Sequence, residues 1–149
     1  MTLLLLAGTG EAKQIAWGLA DTNVSVVASL AGVTRSPDPL PVTTRIGGFG
    51  GDDGFRSYLR ESSISAVLDA THPFAAQISD RTARICSDFK LPYAQVVRPV
   101  WLPKIGDNWT SITSPCDAEK HIPSGSTVFI ATGRQTLAEY ANLAGRRLL

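Results

Sequence analysis

Apolar residues in this chain fall into short runs, each closed by glycine or a polar turn. The runs are Leu3-Leu4-Leu5-Leu6-Ala7, Val24 to Leu30, Ile64 to Ala70 and Ser126 to Ala131. They are too short to cross a membrane and predict strands buried on both faces, as in parallel sheets. Helical periodicity lies between them. It predicts helices over Ala12 to Ala20 and over Gly54 to Glu61, the latter with Phe55, Tyr58 and Leu59 on one face and Asp52 or Asp53 as cap. A third helix is predicted from Pro73 to about Phe89, with Phe74, Ile78, Ala83 and Ile85 inward. Val42 to Ile46 and Pro92 to Arg98 read as further strands, Asp117 to His121 as a short helix and Thr136 to Ala144 as a longer one. The alternation predicts an α/β fold. Residues 1–123 form a Rossmann-like lobe, a parallel sheet with helices on both faces plus a connection, and 124–149 begin a second α/β lobe.

Composition narrows the partners. With 149 residues and 44% hydrophobic content the chain can bury a substantial core. Fourteen Lys+Arg against thirteen Asp+Glu give a net charge of +1, and no basic stripe or tail is present to hold nucleic acid or an anionic membrane. Met1-Thr2 carries no charge ahead of the Leu run, so the N-terminus reads as mature and the protein as cytoplasmic. Cys86 and Cys116 show no C-x-x-C spacing and read as reduced thiols. His72 and His121 are the two histidines, too few for a histidine-rich metal centre, and no metal is expected.

The candidate chemistry sits in the loops that follow the predicted strands. Gly8-Thr9-Gly10-Glu11 joins a strand to a helix whose first N–H groups attract anions, so it reads either as a phosphate turn or as a plain structural turn. The match to G-x-G-x-x-G/A is partial, because Lys13 occupies the third small position. After the second strand no acid is present to hold a ribose hydroxyl. Thr34 and Arg35 stand there instead, which favours a 2′-phosphate and hence NADP, unless Arg35 is simply a solvated surface residue. Ser36 to Pro41, with three prolines, is an extended loop. Gly47-Gly48-Phe49-Gly50-Gly51 reads either as a hinge or as backbone approaching a flat ligand. Asp69, Thr71 and His72 sit at the carboxyl end of a strand, the edge where open α/β sheets bind ligands, although a His beside a Pro also suits a capping role. Trp101 and Trp109 suit packing between lobes or contact with a planar substrate. A hydrolase built on Asp69 and His72 lacks any G-x-S-x-G nucleophile elbow.

Taken together, Leu6 to Ala12, Ser29 to Gly32, Ile46 to Gly51, Asp69 to Ala75, Arg98 to Trp101 and Thr132 to Gln135 resemble, in order, the precorrin-6A reductase family of cobalamin biosynthesis. The resemblance implies an NADPH-dependent oxidoreductase that reduces one double bond of a carboxylate-fringed tetrapyrrole held between two Rossmann-like lobes, with hydride delivered to C19 and a proton to C18. It implies that Gly8, Thr9, Gly10 and Glu11 line the cofactor phosphates, that Thr34 and Arg35 lie toward the adenosine, and that Thr71, His72 and Pro73 lie near the nicotinamide. Gly48, Phe49, Gly50 and Arg134 would face the substrate, with Arg134 a partner for a peripheral carboxylate. Members of the family continue through a complete second lobe, whereas this sequence stops after that lobe's first helix. From this follows an expectation of little turnover and of self-association through the strand Thr127 to Ala131. The alternative function is a non-catalytic NADP-binding module or one half of a split reductase.

Overall fold

The computed structural model describes residues 1–32, 39–99, 101–132 and 134–149, apart from the side chains of Arg134 and Gln135. It divides into two compact units, Met1–Pro99 and Val100–Leu149.

The first unit runs β1 (Thr2–Leu6), α1 (Gly10–Ala20), β2 (Ser25–Leu30), β3 (Thr43–Ile46), α2 (Gly51–Glu61), β4 (Ala66–Asp69), α3 (Ala76–Asp88) and β5 (Tyr93–Gln95). Its five strands are all parallel, in the order β3-β2-β1-β4-β5. Strand pleating sends alternate residues of β1 to opposite faces. Leu4 and Leu6 pack with Phe55 and Leu59 of α2 and Ile85 and Cys86 of α3. Leu5 and Ala7 pack with Ala12 and Ala16 of α1. A strand covered on both sides favours apolar side chains throughout its buried part, which is why Leu3 to Leu6 are all leucine.

The helices depart from expectation at their starts. Neither Asp52 nor Asp53 caps α2. The N-cap is Gly50, left-handed at φ +79°, and the two aspartates fall in the first turn, where their charge suits the helix dipole. α3 begins at Ala76, not at Pro73, so Phe74 lies in the preceding turn and is 79% exposed. Ile85 is fully buried as expected, and Ser79 and Thr82 join it inside. Thr82 Oγ1 donates to the Ile78 carbonyl at 2.7 Å, which satisfies its hydroxyl without solvent.

The second unit holds two 3-10 segments, Pro115–Lys120 and Arg134–Tyr140, and two short strands, β6 (Thr127–Val128) and β7 (Arg147–Leu148), paired in parallel. The buried strand expected over Ser126 to Ala131 reduces to those two residues, and Phe129 is 77% exposed. The helix expected from Thr136 is the 3-10 segment. Beyond it, Arg147–Leu148 form β7, where the sequence predicts no strand. Leu143 is the main fully buried side chain here, and Arg146 ties the unit together by donating through Nε to the Ile122 carbonyl at 2.8 Å. Among the described residues no helix is long and apolar enough to cross a membrane.

Candidate functional site

The carboxyl ends of β1 and β4 lie side by side because Leu6 pairs with Asp69. The ladder runs one residue further on either side, with Ala7 N–H donating to Ser29 and Ala70 N–H to Leu6, each at 2.9 Å. Beyond that point the chain from β1 turns toward α1 on one face, and the chain from β4 turns toward α3 on the other. This is the topological switch point, where such sheets open a crevice.

Thr9 joins the two lips of the crevice. Its Oγ1 accepts from Ala12 N–H at 3.2 Å, capping α1, and donates to the Ala70 carbonyl at 2.8 Å. One hydroxyl therefore fixes the helix start against the neighbouring strand. Gly8 sits at φ +149°, a backbone that other residues rarely adopt, and a Cβ built on Gly10 meets no protein atom within 4 Å. The start of the capped helix is thus open at Gly10, with the first-turn N–H groups of α1 beside that space.

The opposite lip is organised by Asp69, which is fully buried. Its Oδ1 accepts from the Thr71 N–H at 3.0 Å and from the Thr71 hydroxyl at 2.7 Å, and its Oδ2 accepts from the Tyr93 hydroxyl at 3.0 Å. Burial, reinforced by the Asp69 carboxylate, raises the Tyr93 phenol well above its ordinary range and keeps it a donor. Asp69 thus sets Thr71. His72 is exposed, and its Nδ1 accepts from Phe74 N–H at 3.3 Å, which leaves Nε2 as the donor nitrogen of the neutral ring. Pro73 is exposed beside it and lines the same small cleft as Thr9, Glu11, Thr71, Val96 and Arg98.

Arg98 was not singled out from the sequence as a site residue. Its Nη2 lies 2.7 Å from Glu11 Oε2, and this ion pair joins the exit of β5 to the first turn of α1. The guanidinium holds the Glu11 carboxyl below its usual range. The two residues are 87 positions apart, so nothing local announces the pair.

The glycine run has an unanticipated keystone in Arg45. Its Nη1 donates to Ser29 Oγ at 2.6 Å and to the Gly47 carbonyl at 2.9 Å, its Nη2 donates to the Gly48 carbonyl at 3.0 Å, and the guanidinium lies 4.0 Å from the Phe49 ring centroid. The Phe49 ring also packs on Phe55 at 4.8 Å and Tyr58 at 5.2 Å. A cation in a short strand just before a glycine-aromatic run was the available signal. Exposed Gly48 and Gly50 leave backbone, not the Phe49 ring, as the open face of this loop. Thr34 and Arg35 lie outside the described residues, as does the side chain of Arg134.

A five-stranded parallel sheet in this order, with a capped glycine turn at its switch point, defines an α/β protein of the Rossmann-like class. A model of the family described as "Precorrin-6x reductase CbiJ/CobK" matches residues 2–149, and the chain belongs to that family. It is 42% identical over 144 residues to the precorrin-6A reductase of Rhodococcus erythropolis, covering 95% of this chain and 58% of that protein. It is 44% identical over 146 residues to that of Mycobacterium tuberculosis, covering 94% and 57%. Identity to a cobalt-precorrin-6A reductase from Synechocystis is 26% over 102 residues, covering 66% of this chain and 38% of that protein. A solved structure described as "CobK precorrin-6A reductase" superposes with a TM-score of 0.90 at 38% identity, covering 99% of this chain and 59% of that one. The chain therefore spans somewhat over half the length of the relatives it matches most extensively.

Proposed function

We propose that this chain is the NADPH-binding part of a reductase of cobalamin biosynthesis that acts on a carbon-carbon double bond of precorrin-6A. The observation that carries the reading is the crevice between β1 and β4, with Thr9 bonded across it and open space at Gly10. The names of the relatives supply the substrate class, and identities of 42–44% to precorrin-6A reductases against 26% to a cobalt-precorrin enzyme favour the cobalt-free macrocycle.

When bound, NADPH supplies the hydride, and the residues of this chain set the surroundings in which it is given up. Gly8, Thr9 and Gly10 present backbone N–H groups to the pyrophosphate, and the Thr9 hydroxyl keeps α1 aimed at it. Thr71, held by Asp69, and the donor nitrogen of His72 orient the nicotinamide end, with Pro73 stiffening the turn. Thr34 and Arg35 receive the 2′-phosphate. Gly48 and Gly50, in the loop that Arg45 and Phe49 hold rigid, offer backbone to the macrocycle, and Arg134 pairs with one of its carboxylates.

The test is isothermal titration of NADPH into the wild-type chain and into Gly10→Val. Wild type should bind. The variant should lose binding and keep its circular dichroism spectrum, because the added side chain points into space that no protein atom fills. Unaltered affinity in a folded Gly10→Val chain would place the phosphate site elsewhere.

A further inference from the structure

The phosphate turn carries a charge of the wrong sign. Glu11 is the second residue of α1, directly after Gly10, so its carboxylate lies in the first turn whose N–H groups are proposed to meet a pyrophosphate. A helix start favours that carboxylate for the same reason that it favours a phosphate, and two anions in one place repel. The nearest compensation comes from the far end of the sheet. Arg98, three residues beyond the end of β5, places Nη2 at 2.7 Å from Glu11 Oε2 and lines the same cleft as Thr9, Thr71 and Pro73. Neither side chain is buried, with 42% of Arg98 and 37% of Glu11 exposed. The pair is therefore open to solvent at the edge of this cleft, where an incoming anion would feel both charges.

We propose that Arg98 is a positioning residue for the dinucleotide. By pairing with Glu11 it neutralises the carboxylate at the mouth of the phosphate turn and holds that side chain to the β5 side of the crevice, so that α1 can accept a pyrophosphate. This rests on the nucleotide reading given above. It differs from the role proposed for Arg35 in one measurable respect. A neutralising pair at the pyrophosphate acts equally on NADPH and NADH, which share that group, whereas a 2′-phosphate contact separates them.

The experiment is a double-mutant cycle read by calorimetry with NADPH and NADH on the 149-residue chain, using Arg98→Gln, Glu11→Gln, the double variant and Arg98→Lys. Arg98→Gln leaves Glu11 charged and without its cationic partner, and should weaken both cofactors by about five- to ten-fold. The double variant removes the repulsion with the cation and should return to within about three-fold of wild type. Arg98→Lys keeps the charge and should stay close to wild type. Glu11→Gln should bind no more weakly than wild type. A second readout is independent of the cofactor: the Glu11 carboxyl, followed by carbon-13 NMR, should titrate at higher pH in Arg98→Gln than in wild type. Double and single variants equally weakened would overturn the proposal and make Arg98 a direct phosphate contact. Wild-type affinity in Arg98→Gln would overturn it while leaving the nucleotide reading intact. If the wild-type chain binds neither cofactor, both fall.

Discussion

Gly54 is the position where helix propensity and tertiary packing make opposite predictions. It is the fourth residue of α2, and replacing an interior helical glycine by alanine ordinarily stabilises by about 0.5 to 1 kcal/mol. Here a Cβ would lie 1.7 Å from the carbonyl oxygen of Phe49 and 2.8 Å from its carbonyl carbon. The oxygen would have to retreat by roughly 1.7 Å to reach ordinary van der Waals contact. That loop has little freedom to retreat, because Arg45 grips the Gly47 and Gly48 carbonyls and the Phe49 ring is wedged against Phe55 and Tyr58. Overpacking costs about 1 to 3 kcal/mol, and loosening a charged hydrogen bond from Arg45 adds about 1.5 to 3 kcal/mol. Against the propensity gain, Gly54→Ala should destabilise by about 2 to 4 kcal/mol. The melting temperature should fall by roughly 8 to 32 °C, taking about 4 to 8 °C per kcal/mol for a unit of this size. Gly18 in α1 is the control, since its Cβ would meet nothing within 4 Å, and Gly18→Ala should stabilise by about 0.5 to 1 kcal/mol. Thermal unfolding followed by circular dichroism compares the two. A Gly54→Ala chain that melts at or above the wild-type temperature would refute the packing argument.

Two further predictions concern cofactor choice and pH. One charge-assisted contact from Arg35 to a 2′-phosphate is worth about 1.5 to 3 kcal/mol, so Arg35→Ala should weaken NADPH by about ten-fold or more and leave NADH nearly unchanged; equal losses in calorimetry would remove Arg35 from that role. Burial pushes the Cys86 thiol up to about 11 and raises the Tyr93 phenol, so the folded state holds both protons while the unfolded chain releases them from roughly pH 8.5 and pH 10. The Cys86 contribution is complete below about pH 8.5 and is lost as pH rises through about 11, whereas that of Tyr93 begins to fall only above about pH 10. Urea midpoints should fall over that window, and Cys86→Ala should flatten the fall between about pH 9 and 11; a level wild-type profile would contradict the assignment.

The elements with an unbroken apolar run or a helical face were legible in the sequence because burial constrains every residue in them. β1 is leucine from Leu3 to Leu6, since helices cover both of its faces, and Phe55 and Leu59 needed only helical spacing to be placed inside. The turn at Gly8 to Gly10 was legible for a local reason, because glycine and a capping threonine do their work within a few residues of themselves. The start of α3 was not, since Pro73 is compatible with a first turn and equally with the loop before it. Nor was the end of the chain's last apolar run, where Phe129 is exposed although its neighbours read as a buried strand. An apolar run states that burial is possible, and only a covering element decides whether it occurs.

What tertiary structure alone decided is which distant groups meet. Asp69 reads as a polar residue at the ligand-binding edge of the sheet and proves to be the buried acceptor that fixes Thr71 with help from Tyr93, 24 residues away. Arg45 reaches back to Ser29 and forward onto Phe49, bracing a glycine run that reads either as a hinge or as backbone approaching a flat ligand. Glu11 and Arg98 meet only because β5 stands beside β4 and β4 beside β1, which brings the exit of β5 to the first turn of α1. A sequence specifies backbone preference and burial residue by residue, but a charge placed opposite another charge depends on strand order, and strand order is settled only when the whole sheet closes on its core.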